Sequence, residues 1–296
     1  MKFKAEGIIS AMVTPFTKGG EYVDFDKAGP LAEWLVKRGA SGLFPCGTTG
    51  EGLLMTPEER KTVAEEVVQA VGKKALVIIQ TGALDTATTI ELTRHAQEIG
   101  AHAAGVVAPG FYGYDDAALE LFYRSVAKAV PGFPVLLYNI PGCAKNYLKP
   151  DLIAKLAEID NIVGVKDSTC DMIQLTQLLS AVPKDFNVIN GVDDYGYQAF
   201  LAGAKAAVSG TSNAVIDLYL GVYTNLKKGN LKQAWSWQVR QSEACRIFEY
   251  GRMSSMVKEG MRLRGFDAGY VRPPQRELTN AEKKALAKRM EKAGLI

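Results

Sequence analysis

Short apolar runs rich in β-branched residues alternate along the chain with longer amphipathic stretches. The runs fall at 8–13, 42–46, 76–80, 104–108, 134–138, 162–166, 187–190 and 206–209. Between and after them the apolar positions recur at helical spacing, at 24–38, 57–71, 86–99, 115–130, 150–158, 173–182, 195–202 and 215–228. Eight strands, each followed by a helix and with no break in composition, is the pattern of a (β/α)8 TIM barrel. A doubly wound sheet also alternates strand and helix, but it is disfavoured by the count of eight and by the absence of a GxGxxG after the first strand. Beyond residue 229 the pattern turns helical, at 231–250, 254–262 and 280–294. The chain therefore divides into a barrel at 1–229 and a C-terminal helical extension at 230–296, packed on the barrel.

Helix-start chemistry supports this division. Thr56-Pro57-Glu58-Glu59 offers an N-cap, a first-turn proline and early acids. Thr279 and Glu282 stand at capping-box spacing. Over 296 residues the net charge is only +3, which gives no reason to expect a nucleic-acid partner. No run of about 18 apolar residues marks a membrane span. The four cysteines (Cys46, Cys143, Cys170 and Cys245) are dispersed without CxxC spacing, and His95 and His102 sit in or just after a helical pattern. Neither set suggests a metal site or a disulfide scaffold. A cytoplasmic location with reduced thiols is the expectation.

In a barrel of this kind the chemistry lies where strands end and helices begin. Three strand ends carry candidates: Gly47-Thr48-Thr49-Gly50-Glu51, Tyr138-Asn139-Ile140-Pro141 and Lys166-Asp167-Ser168. By two-residue alternation Lys166 shares a face with Gly164 and Ile162. If that face is the barrel interior, the amine points into a closed, largely apolar space and can act as a nucleophile toward a ketone. Taken alone, a strand-end lysine is more simply a side chain that has reached water. Tyr138 ends the neighbouring strand, and a hydroxyl beside an amine suits proton transfer during carbinolamine formation and carbon–carbon cleavage. The Gly47–Gly50 turn can aim backbone N–H groups and threonine hydroxyls at one carboxylate, although most such turns are only turns. Glu51 reads as an acid at a helix start.

Together these motifs resemble the dihydrodipicolinate synthase / N-acetylneuraminate lyase superfamily. The resemblance runs from Gly7-Ile8 and Thr14-Pro15-Phe16 to Arg272-Pro273-Pro274. The segments Gly191-Val192-Asp193-Asp194 and Ser209-Gly210-Thr211-Ser212-Asn213 look like that family's loops after strands 7 and 8. The resemblance implies a pyruvate-type Schiff base on Lys166, with Tyr138 as general acid/base. It places the keto-acid carboxylate against Gly47, Thr48 and Thr49, with the Val208 backbone and Gly191 lining the same pocket. It also implies a homotetramer of two tight dimers, no metal and no organic cofactor, and a 2-keto acid and an aldehyde as small-molecule partners.

Departures from the family pattern bear on the substrate. Synthases of the family carry an arginine where this chain has Cys143, and a proton-relay tyrosine where it has Phe111, with Tyr112 next to it. Asp193 and Asp194 partly match the acidic pair of the sialic-acid lyases, unless they merely cap the following helix. The expectation is a lyase or aldolase for a 2-keto-3-deoxy sugar acid or a related aldol. The alternatives are 4-hydroxy-tetrahydrodipicolinate synthase, a 2-keto-sugar-acid dehydratase, and a non-catalytic keto-acid sensor.

Overall fold

The computed structural model describes residues 3–248 and 253–296. Eight parallel strands close into a barrel in chain order: β1 (Gly7–Ser10), β2 (Gly42–Leu43), β3 (Leu76–Gln80), β4 (Ala103–Val107), β5 (Val135–Asn139), β6 (Ile162–Asp167), β7 (Asn187–Asn190) and β8 (Ala206–Ser209). Pairing of β1 with β8, Gly7 opposite Ala206 through Ser10 opposite Ser209, closes the ring and excludes the doubly wound sheet. Around it run α1 (Phe25–Lys37), α2 (Pro57–Val71), α3 (Thr86–Glu98), α4 (Asp116–Ala129), α5 (Pro141–Ala144), α6 (Pro150–Leu156), α7 (Met172–Ala181), α8 (Gly196–Ala202) and α9 (Ser212–Lys227). The chain ends in α10 (Leu231–Phe248), α11 (Met253–Leu263) and α12 (Asn280–Lys292). Residues 249 and 250, placed in the first C-terminal helix by the sequence pattern, lie outside the described residues.

Most strands fall within a residue or two of their apolar runs. The first two stop early, at Ser10 and Leu43, because the ladder ends before the burial does. Ala11 still donates to Ser209 O, but the Val13 N–H is satisfied by the Asn213 side chain and not by a strand. Periodicity reports burial, and burial continues into the barrel mouth. The last barrel helix starts at Ser212, three residues before the apolar pattern places it. Val215, at φ −132°, marks a kink there, so the regular pattern begins only after the kink. The one-turn α5, with Pro141 in its first turn, is too short to show a period.

Both capping boxes form: Thr56 with Glu59, and Thr279 with Glu282. The C-terminal helices share one continuous apolar core with the barrel, which includes Phe248, Met256, Val257, Leu286 and Met290. Contact between α9 and α10 is close at Gly221, where a Cβ would stand 2.3 Å from the Trp237 ring.

Candidate active site

Strand register brings the two central candidates together. Tyr138 on β5 is directly opposite Lys166 on β6, and Asn139 is opposite Asp167. Both side chains are buried, Tyr138 at 2% and Lys166 at 6% exposure, so Lys166 has not simply reached solvent. The Lys166 Nζ sits 3.9 Å from the centroid of the Tyr138 ring and 4.6 Å from that of Phe44. Such contact with two ring faces is favourable for an ammonium. The next carboxylate along the strand, Asp167, is engaged elsewhere. It accepts from Thr169 Oγ1 (2.6 Å), Asn139 Nδ2 (3.1 Å) and Gln174 Nε2 (3.4 Å). Burial pushes its carboxyl above the usual value, and these hydrogen bonds pull the other way.

Space for the lysine comes from a glycine just past the end of the neighbouring strand β7. A Cβ on Gly191 would lie 3.1 Å from Lys166 Cε and 2.0 Å from Ser168 Oγ. Its N–H donates to Asp167 O at 2.7 Å, which ties the loop after β7 to β6. Val208 is buried on β8 opposite Ile9, at the same end of the barrel.

Thr48 Oγ1 lies 3.3 Å from Tyr138 Oη, so the loop after β2 reaches the strand-borne pair. Thr48 is exposed and Thr49 is buried. The loop is folded tightly on itself: Glu51 N–H donates to Thr48 O (3.1 Å) and Gly52 N–H to Gly47 O (3.0 Å). Thr14 Oγ1 donates to Gly50 O at 2.6 Å. Gly52 is obligatory, since a Cβ would stand 1.8 Å from Cys46 O.

The sequence missed two contributors. Phe44 reads as an ordinary core aromatic, yet its ring packs edge-on against Tyr138 (5.6 Å) and lies beside the Lys166 amine. Gly105 makes room for it, as a Cβ there would come within 2.5 Å of the ring. A bulky residue facing a glycine on a nearby strand was the available signal. Glu51 is the second. It is no helix-start acid: its carboxylate caps nothing in the Gly52–Leu54 turn and instead pairs with Lys258 of α11 at 2.7 Å.

Three candidates stand apart from the lysine–tyrosine pair. Phe111 and Tyr112 are exposed on the loop after β4 and stack edge-on with each other at 5.0 Å. Phe111 holds a left-handed φ of 71°. Cys143 is exposed on α5, at the rim of a cleft of about 160 Å³ that Thr48, Leu53, Leu84, Val107 and Ile140 also line. Thr48 joins this cleft to Tyr138.

Asp193 has a role that neither sequence reading anticipated. It does not cap α8. Its Oδ2 accepts from Thr211 Oγ1 (2.8 Å) and Thr211 N (3.3 Å), which bridges the loops after β7 and β8. Burial pushes its carboxyl up, against hydrogen bonds from Thr211, Ser209 and Tyr219. Asp194 is exposed. Among the described residues, no group of three or more His, Cys, Asp or Glu could hold a metal ion, and no helix is long and apolar enough to cross a membrane.

Fold and comparison together define a barrel lyase of the class I, lysine Schiff-base type. A family model described as the dihydrodipicolinate synthetase family matches residues 4–293, and the chain belongs to that family. It is 36% identical to an uncharacterized DapA-like lyase of Halobacterium salinarum, over 98% of this chain and 94% of the relative. It is 34% identical to 4-hydroxy-tetrahydrodipicolinate synthase of Nostoc punctiforme, over 90% of each. Among solved structures it superposes with a TM-score of 0.93 on YagE, a prophage protein of the dihydrodipicolinic acid synthase family from E. coli K12, in complex with pyruvate. That match has 29% identity and covers 98% of this chain and 99% of the other.

Proposed function

We propose that the protein is a lyase for 2-keto acids that forms its imine on Lys166, with pyruvate as donor or product. The observation that carries this is the buried Lys166 amine against the Tyr138 ring, with the Tyr138 hydroxyl 3.3 Å from that of Thr48. Lys166 Nζ adds to the C2 carbonyl, the carbinolamine loses its hydroxyl as water, and an iminium remains. In the cleavage direction, a base takes the proton of the substrate's C4 hydroxyl and the C3–C4 bond breaks. C4 leaves as an aldehyde, and the bonding pair moves onto the iminium as an enamine. Protonation of C3 and addition of water then release pyruvate and the free lysine. Tyr138 handles the protons. Thr48, Thr49 and the Val208 backbone hold the carboxylate. The iminium is itself the electron sink, so the reaction needs no metal or organic cofactor.

For the second half of the substrate, the cleft beside Thr48 favours an uncharged group. No lysine or arginine lines it among the described residues, and Cys143 stands at its rim. A hydroxylated aldehyde, as a 2-keto-3-deoxy sugar acid releases, fits such a wall better than a carboxylated one. The synthase is the second reading, supported by the name of the Nostoc relative. Incubation with pyruvate and borohydride is expected to add mass to the Lys166 peptide. A chain that gives no adduct with pyruvate or any other 2-keto acid does not use this chemistry. High turnover of pyruvate with aspartate semialdehyde, and none of 2-keto-3-deoxy acids, selects the synthase.

A further inference from the structure

Two charges lie fully inside the protein, one on the turn that carries Thr48 and one on α11. Glu51 Oε1 and Lys258 Nζ are 2.7 Å apart, with side-chain exposures of 0% and 3%. Their remaining polar atoms are also satisfied. Lys258 donates to Tyr270 O at 2.5 Å and lies 4.9 Å from the Phe16 ring centroid. Glu51 Oε2 accepts the Arg272 N–H at 2.9 Å. Arg272 continues the tie: it donates to Leu54 O and grips Glu59 with both guanidinium arms, at 2.7 and 2.8 Å. The pair thus joins the Gly47–Gly52 turn to α11 and to the segment after it.

The backbone of that turn is not one it would adopt unaided. Glu51 sits at φ 57°, left-handed for a residue with a side chain, directly between Gly50 and Gly52. A residue holds that conformation only when its surroundings over-determine it. The ion pair is also a poor device for stability alone, since apolar residues of similar volume in place of a buried pair are often neutral or stabilising. What it supplies is direction. A carboxylate bound on both oxygens fixes where Glu51 points, and Thr48 O accepts from Glu51 N–H only one turn away.

We infer that Glu51 and Lys258 are positioning residues: their buried ion pair is a strut from the C-terminal helices that aims the Thr48 hydroxyl at Tyr138. The inference rests on the proposed imine chemistry, because Thr48 matters only if the carboxylate and proton are handled there.

Borohydride trapping with pyruvate tests it, read as a maximum rate and a half-saturating pyruvate concentration. The variants are E51Q, K258M and the uncharged double E51Q/K258M, each on the wild-type and the T48V background. The double variant leaves no unpaired buried charge, so it keeps the test alive if the single variants do not fold. E51D, which keeps the charge and shortens its reach, does the same if the double does not. With Thr48 present, the expected loss in trapping efficiency is about 10- to 100-fold, the scale of a misplaced group. On the T48V background the same changes should cost at most about twofold, because the contact they act through is already gone. A purely structural pair predicts equal losses on both backgrounds, and that result overturns the strut, as does a double variant with wild-type trapping. Absence of any adduct in the wild-type chain overturns the imine reading itself, which separates the two failures.

Discussion

The two halves of the candidate site are built differently. Lys166 and Tyr138 stand on paired strands, and the barrel's own hydrogen-bond ladder sets their separation. Thr48 stands on a turn that the ladder does not reach. Its place depends on Thr14, on the strained Glu51 and on a lysine 207 residues further along the chain. The strand-borne half is rigid because moving it means breaking the sheet. The loop-borne half is rigid only while distant contacts hold, so it is where small changes should be felt without unfolding.

The largest expected effect lies on the strand side. Lys166→Met removes the proposed nucleophile, so pyruvate-dependent borohydride labelling should vanish and turnover should fall about 10⁴-fold or more. A K166M protein that still labels at another lysine moves the imine elsewhere. Tyr138→Phe keeps the ring beside Lys166 and removes only the hydroxyl. Turnover should drop about 10²- to 10⁴-fold with little change in melting temperature, whereas an unchanged rate assigns the proton transfers to another group. The strut variants come next, with the losses given above.

The smallest effect is a pH effect on the loop side. The Arg272 guanidinium holds Glu59 below the usual glutamate range, through direct hydrogen bonds that outweigh partial burial. A depressed folded-state value means stability that is present above about pH 4.5, where glutamate in the unfolded chain is ionised, and lost as the pH falls through the folded value. Glu59→Gln should therefore cost about 1–3 kcal/mol at pH 7. The gap in melting temperature between E59Q and the parent should close as the pH drops below that range. A gap that stays constant from pH 7 to pH 3 shows that the charge of Glu59 does not stabilise this corner.

Much of the strand-borne half was legible in the sequence. Alternation put Lys166 and Tyr138 on inward faces, and the count of eight runs made their strands neighbours. Phe44 was not legible, because a core aromatic and an aromatic under an amine share one pattern. Phe111 and Tyr112 stand where the family's relay tyrosine reaches across a dimer interface, and in the single chain both lie exposed on their loop. Asp193 does not cap the helix that follows it, and its bridge to Thr211 was not legible at all.

The division follows from the range of the forces. Burial with a period of two or 3.6 is written into local sequence, and from it come the barrel, its strand ends and the buried lysine–tyrosine pair. The pairing of Glu51 with Lys258, the grip of Arg272 on Glu59 and the room that Gly191 and Gly105 leave for their neighbours each join residues far apart in the chain. No local pattern encodes them, because each depends on which surfaces meet once the barrel has closed and the C-terminal helices have packed against it.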